Sequence, residues 1–183
     1  MKQVTAFTPI ALLASLFASH AALAANQAGD YAFTASIGES GTKNDNSYAS
    51  DTTISFALEY QKSGYAAYRA SAGLLTMSGR KVINPVAGTR NADAFFVTGD
   101  LLFTPRFRVL HPYLAAGIGF YDVRLTDNRD NTNGIEIGVN WGLGLDVQLL
   151  RSFAIHGELA YHYLTGEISN PIQTIIVGGR FDF

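Results

Sequence analysis

The most restrictive feature of the sequence is a strict alternation of apolar and polar residues. Its longest example is GIEIGVNWGLGLDVQ, residues 134–148, where every odd-numbered position from Ile135 to Val147 is apolar. The even-numbered positions carry glycine, asparagine or an acid. Because successive side chains of a β-strand point to opposite faces, this pattern predicts a strand with one wholly apolar face.

Seven further segments repeat this period of two: YAFTASIG, TISFALEYQ, AYRASAGL, FFVTGDLLF, YLAAGIGF, FAIHGELAYHY and the closing IIVGGRFDF. Longer polar connections alternate with tight ones. The longer ones are residues 39–51, 77–92, 126–134 and 165–170, and the tight ones are 62–64, 104–108 and 148–152. This arrangement predicts an all-β fold, an eight-stranded antiparallel up-and-down transmembrane β-barrel in the outer membrane. Both termini are then expected on the periplasmic side.

The first 24 residues predict export. Lys2 is their only charge, an apolar stretch runs from Ile10 to Phe17, and the segment closes on Ala22-Leu23-Ala24. This is the pattern of a cleavable signal peptide, and the apolar stretch is shorter than the ~20 residues of a spanning helix. We therefore expect removal of residues 1–24 and a barrel over residues 25–183. The chain has no cysteine, so disulfides cannot stabilise it.

A soluble β-barrel is the main alternative. Its polar face would carry lysine and glutamate freely, whereas here that face is rich in glycine, alanine, serine and threonine. The apolar face also places aromatic residues near strand ends, as interfacial girdles do: Tyr60, Phe103, Tyr161 and Phe181. Both features favour a membrane barrel. The net charge of −2 and the lack of a basic stretch argue against a nucleic-acid partner.

The polar face of the strands predicts the contents of the lumen. An eight-stranded barrel is only wide enough for side chains to fill. We expect a lumen polar network of Glu59, Arg69, Asp100, Glu136, Glu158 and Arg180, with Asn140, Asp146 and His156 on the same face. Acids outnumber bases, so arginines would have to bridge several carboxylates. A packed polar core is the favoured interpretation, and a narrow pore for small solutes is the alternative.

Three phrases resemble the small outer-membrane β-barrel family: HPYLAAGIGFY, HGELAYHY and VGGRFDF. That family includes the transmembrane domain of outer-membrane protein A, the OmpX-type barrels and the opacity-type proteins. The resemblance implies architecture but not activity, because such barrels serve as adhesins, lipid A enzymes or structural proteins. It also implies an assembly signal on the last strand, at Gly178, Phe181 and Phe183. The implied partners are outer-membrane lipid, lipopolysaccharide and the barrel assembly machinery.

An enzymatic role has one weak candidate, His162. A lipid A deacylase of this barrel type has histidine, one spacer and serine, whereas this chain reads His162-Tyr163-Leu164, with Ser169 off that spacing. No histidine pair has metal-ligand spacing and no glycine-rich phosphate loop occurs. We therefore expect no catalysis, cofactor or metal, and a monomer with a structural or cell-surface interaction role. A lipid A-modifying hydrolase is the alternative.

The connection after the third strand contains three cations, Arg80, Lys81 and Arg90. They could contact lipopolysaccharide phosphates at the cell surface. The favoured interpretation is that they are ordinary solvated loop charges.

Overall fold

The computed structural model describes residues 30–42, 48–79, 91–105, 107, 109–126, 131–166 and 171–183. These residues form eight strands: β1 (Tyr31–Thr42), β2 (Tyr48–Gln61), β3 (Ala66–Gly79), β4 (Asn91–Phe103), β5 (Leu110–Thr126), β6 (Asn131–Leu150), β7 (Phe153–Leu164) and β8 (Ile172–Asp182). The predicted signal peptide, residues 1–24, lies outside the described residues and stays a prediction.

Each strand pairs antiparallel with its neighbours in the sequence, and β8 closes the sheet against β1. The closing ladder runs from Ala32 opposite Asp182 to Thr42 opposite Ile172. The predicted all-β class and the closed eight-stranded antiparallel barrel are therefore confirmed. Closure leaves the last strand hydrogen-bonded on both sides, which explains how the chain can end on an alternating strand without fraying. No helix in the described part of the chain is long and apolar enough to cross a membrane.

The apolar face of the strands forms the outer wall of the barrel. Many large apolar side chains on this wall are exposed, such as Ile118 at 67% and Ile135 at 78%. A water-soluble protein rarely exposes apolar surface on this scale, whereas lipid covers it in a bilayer. The aromatic residues predicted for the girdle lie on this wall. Tyr60 contacts Tyr31 with ring centroids 5.2 Å apart, and Phe181 contacts Phe153 at 5.0 Å.

The two ends of the barrel differ. At the turn end lie Asp30, Phe183 and the short connections 62–65 and 151–152. The opposite end, here the loop end, is the end at which β1, β3, β5 and β7 finish, at Thr42, Gly79, Thr126 and Leu164.

The connections at residues 39–51 and 126–134 were predicted as loops, yet strands cover most of both segments. β1 continues to Thr42 and β5 to Thr126. Backbone pairing does not require apolar side chains, so a ladder can continue where the hydrophobic alternation fades.

Candidate functional site

The lumen near the turn end contains a cluster of bonded charges centred on Arg69. Its guanidinium donates from Nε to Asp100 at 2.9 Å and from Nη2 to Glu158 at 3.1 Å, with a second contact from Nη1 to the same Glu158 carboxylate. Tyr113 donates its hydroxyl to Glu158 at 2.5 Å, and Asn140 donates to Asp100 at 2.6 Å. These side chains come from β3, β4, β5, β6 and β7, so the cluster crosses the barrel interior.

Arg180 on β8 organises a second set of bonds beside the first. Its guanidinium contacts the Glu59 carboxylate, donates to Asp182 at 3.0 Å and lies 3.4 Å from Asp146. His156 Nδ1 lies 2.8 Å from the other oxygen of Asp146. The excess of acids over arginines is therefore accommodated by shared guanidinium groups and neutral donors. We call the two sets together the lumen ion network; its members are Glu59, Arg69, Asp100, Tyr113, Asn140, Asp146, His156, Glu158, Arg180 and Asp182.

Glycine makes room for the bulky members of this network. At Gly144 on β6, an added Cβ would lie 1.9 Å from Cζ of Tyr113. At Gly117 on β5, it would lie 2.2 Å from a carboxylate oxygen of Asp100. Both distances are far below contact, so the glycines are a packing requirement of the network.

Glu136 was predicted as a member of the network, and its membership stays a prediction. It lies near the loop end, on the inward row of β6 beyond Asn140, and accepts a hydrogen bond from the backbone N–H of Gly166 at 3.1 Å. The alternation of β6 identifies its inward face but not its height in the barrel.

A small polar chamber lies next to the network. Its volume is about 40 Å³, which is room for a few water molecules. Network side chains Arg69 and Glu158 form part of its lining, and Leu75 and Phe96 form another part. Hydroxyl side chains make up half of the rest: Thr34, Ser36, Thr53, Ser55, Ser71, Thr98 and Thr174.

Beyond the chamber, the loop-end half of the lumen is filled by apolar side chains. This apolar lumen cluster consists of Leu75, Met77, Ala92, Ala94, Phe96, Tyr121, Val123, Leu125 and Ile172. All of these residues are at most 5% exposed. The cluster was not predicted, although the signal was present. Leu75 and Met77 lie on the same inward face of β3 as Arg69. The alternation that predicts a polar lumen therefore also predicts apolar residues inside it.

His162 lies inside the lumen, between the chamber and the apolar lumen cluster. It is 5% exposed, its Nδ1 lies 2.9 Å from the hydroxyl of Tyr121, and its ring packs against Phe96 with centroids 5.6 Å apart. The other elements of the weak catalytic hypothesis, Glu167 and Ser169, lie outside the described residues. So do Arg80, Lys81 and Arg90 of the third connection.

The three residues assigned to an assembly signal occupy different faces of β8. Phe181 and Phe183 lie on the outer wall, 50% and 72% exposed. Phe183 pairs with Tyr31 through reciprocal backbone hydrogen bonds of 3.1 and 2.9 Å and through their stacked rings. Gly178 faces inward, where an added Cβ would lie 2.0 Å from the carbonyl oxygen of Ala35.

The longest strands leave one edge without a partner among the described residues. β6 has 20 residues and β5 has 17, well beyond the ~9–11 needed to cross a bilayer. The ladder between β6 and β7 ends at Gly138 and Leu164. Residues 131–135 of β6 therefore have β5 as their one partner strand in the described ladders. We call this segment the β6 edge.

The direction of the backbone groups on this edge follows from one bond. The N–H of Thr165 donates to the carbonyl of Ile137 at 3.0 Å, so Ile137 points its backbone groups toward the β7 side. Residues two positions apart on a strand point the same way. Ile135 and Asn133 therefore present their N–H and C=O groups along the same side.

A closed barrel with a lipid-facing wall and a packed interior defines an integral outer-membrane protein. The chain belongs to the family described as outer membrane protein beta-barrel domain, which matches residues 10–181. This membership places the protein in the outer membrane. No curated protein matches the sequence.

Solved structures show the same fold at low sequence identity. The Ail attachment invasion locus protein of Yersinia pestis is similar with a TM-score of 0.59 and 16% identity, covering 85% of this chain and 99% of that one. Neisserial surface protein A is similar with a TM-score of 0.67 and 11% identity, covering 84% and 97%. OprG from Pseudomonas aeruginosa is similar with a TM-score of 0.64 and 14% identity, covering 86% and 97%.

Proposed function

We propose that this barrel is a non-enzymatic cell-surface interaction protein that works through its loop end. The β6 edge carries the proposal. Among the described residues, Asn133 and Ile135 have no ladder partner on the β7 side, and a strand edge of this kind presents donors and acceptors to which an extended peptide can add as a further strand. The proposal requires an orientation in which the loop end faces outside the cell and both termini face the periplasm.

The contents of the lumen support this choice over the two alternatives. A pore needs a continuous path for water and ions, whereas the lumen ion network crosses the interior with side chains bonded to one another. A lipid A hydrolase needs its nucleophile and base where an acyl chain can reach them, whereas His162 is enclosed by Tyr121 and Phe96. We expect no reproducible conductance steps in planar bilayers, and unchanged lipid A mass spectra when the protein is produced.

The strand-edge function is tested by blocking one backbone donor. The barrel is placed in lipid nanodiscs and applied to an array of synthetic extended peptides. Asn133→Pro removes an N–H that points away from β5, so the β5–β6 ladder is kept while peptide addition is blocked. Asn133→Ala removes the side chain and keeps that N–H, so it is the matched control. We expect peptide binding by the wild type and Asn133→Ala, and loss with Asn133→Pro. Equal binding by all three proteins would contradict the proposal.

The orientation is tested with single cysteines, because the chain has none of its own. Asn133→Cys lies at the loop end and Ser63→Cys at the turn end. On intact cells a membrane-impermeant maleimide should label Asn133→Cys, and should label Ser63→Cys only after the outer membrane is permeabilised. The reverse pattern would overturn the proposed orientation.

A further inference from the structure

Three polar atoms on the wall of the chamber have no hydrogen-bond partner among the described residues. They are Oγ1 of Thr34, Oγ of Ser36 and Oδ1 of Asn140. Thr34 is 3% exposed, and Ser36 and Asn140 are 6% exposed, so bulk solvent does not reach them. A buried polar atom without a partner is costly. All three are oxygens with lone pairs that a ligand in the chamber can use.

The amide of Asn140 is held in one orientation by Asp100. Its nitrogen donates to the Asp100 carboxylate at 2.6 Å. An ionised carboxylate can only accept, so the amide must turn its nitrogen toward Asp100 and keep its oxygen for another partner. The partner of that oxygen must be a donor or a cation.

The charges on the network side of the chamber do not cancel. The Arg69 guanidinium bonds the carboxylates of both Asp100 and Glu158, and all three side chains line the chamber. In their ionised forms these groups sum to one negative charge. Tyr113 and Asn140 add hydrogen bonds to the two carboxylates but no positive charge.

The second set of the lumen ion network does not supply the missing charge. Its arginine, Arg180, already contacts three carboxylates. His156 lies between the sets, 2.8 Å from Asp146 and 3.7 Å from Glu158, so its proton is drawn first to the second set. The surplus negative charge beside the chamber is therefore buried, and an uncompensated buried charge is strongly destabilising.

We propose that the chamber is a binding site for one monovalent metal cation, sodium or potassium. Uncharged oxygens such as amide carbonyls replace the hydration shell of these ions in proteins. Thr34, Ser36 and Asn140 supply such oxygens, and the surplus charge of Asp100 and Glu158 attracts the ion. A volume of about 40 Å³ admits one ion together with water. No three His, Cys, Asp or Glu side chains in the described ranges are grouped to hold a metal ion, and this site differs in kind because its free ligands are uncharged.

Binding is tested through its linkage to folding, in an assay that does not depend on the β6 edge or on orientation in the cell. Urea unfolding of the barrel in detergent is followed while N-methylglucamine chloride is replaced by sodium or potassium chloride. The ionic strength stays constant, and N-methylglucamine is too large for the chamber. Because the unfolded chain lacks the site, the folding equilibrium constant of the wild type should rise by up to about tenfold for each tenfold rise in metal concentration. No dependence on either metal ion would overturn the proposal.

Two variants in β1 separate ion binding from ordinary packing. The double variant Thr34→Val with Ser36→Ala removes two hydroxyls and breaks none of the described hydrogen bonds. It should be at least as stable as the wild type without metal, because it loses two unpartnered polar groups, and it should show little or no metal dependence. Ser40→Ala is the matched control. Ser40 is buried on the same face of β1 but outside the chamber, and it donates to the carbonyl of Thr76 at 2.7 Å.

The control should lose stability equally with and without metal and keep the metal dependence of the wild type. An unchanged metal dependence in the double variant would contradict the proposed ligands. A third measurement needs no variant: crystals grown with thallium(I), which replaces potassium and scatters anomalously, should show an anomalous peak in the chamber beside Oδ1 of Asn140. Water density there without an anomalous peak would overturn the site.

Discussion

The two halves of the lumen are filled by side chains of different chemistry. Near the turn end carboxylates and guanidinium groups bond one another around Arg69 and Arg180, beside a small apolar cluster. Near the loop end the interior is filled by apolar side chains such as Leu75, Phe96 and Tyr121. The first half depends on complete pairing, because a buried charge that loses its partner is costly. The stability of the loop-end half depends on the volume and shape of its side chains, because each apolar side chain packs against several neighbours and needs no one of them in particular.

The largest loss of stability is expected when the cation at the centre of the network is removed. Arg69→Met leaves Glu158 and Asp100 without their arginine, and the free energy of unfolding should fall by about 3–5 kcal/mol. Urea unfolding in detergent, followed by the gel shift between folded and unfolded barrel, measures the change. Arg151→Met, at an exposed position in the turn after β6, should change the free energy by less than about 0.5 kcal/mol. A loss no larger than that of the control would show that the network does not stabilise the barrel.

The loop-end half is tested by two neighbouring phenylalanines on opposite faces of β4. Phe96 is 5% exposed inside the apolar lumen cluster, whereas Phe95 is 47% exposed on the outer wall. Phe96→Ala should lower the free energy of unfolding by about 3 kcal/mol because it leaves a cavity that the rigid wall cannot close. Phe95→Ala should cost much less, since lipid or detergent chains fill the space. The same unfolding assay compares the pair, and equal losses would mean that the cluster is not a packed core.

A smaller effect is expected from adding one methyl group beside the network. Gly144→Ala places its Cβ against the Tyr113 ring and should cost about 1–3 kcal/mol through overpacking. Gly99→Ala adds the same methyl group to open space on the outer wall, and its unfolding midpoint should stay close to that of the wild type. If Gly144→Ala unfolds at the wild-type midpoint, then Tyr113 is not fixed as the structure places it.

The smallest effect on stability is expected at the last residue of the chain. Deleting Phe183 removes one stacked ring and the backbone pairing to Tyr31 at the end of the closed ladder. Molecules already folded should keep nearly the same free energy of unfolding. The amount of barrel reaching the outer membrane should nevertheless fall strongly, because the residue is expected to serve in assembly. Quantitative blots of membrane fractions check this, and normal levels of the deletion variant would contradict the assembly role.

The extent to which the site could be predicted differs from residue to residue. The alternation put Arg69, Asp100 and Glu158 on the inward face, and the structure brings these three together. It could not identify the partners, because Arg69 and Glu158 are 89 positions apart and Glu59 and Arg180 are 121 apart. The alternation places Glu136 on the inward face but gives no height in the barrel, because parity gives a side chain its face, whereas its neighbours depend on register and strand tilt.

The outer wall, the strand count and the closure of the barrel could be predicted from the amino-acid pattern alone. Those properties follow from the period of two, since an apolar row on every strand can be covered only by lipid, and a sheet in lipid must leave no open edge. The filling of the lumen, the end of the described ladder between β6 and β7, and the meeting of Asp93, Asp122 and Arg124 depend on the tertiary structure. These depend on how far each strand extends beside the next, and no local pattern in a single strand encodes that distance.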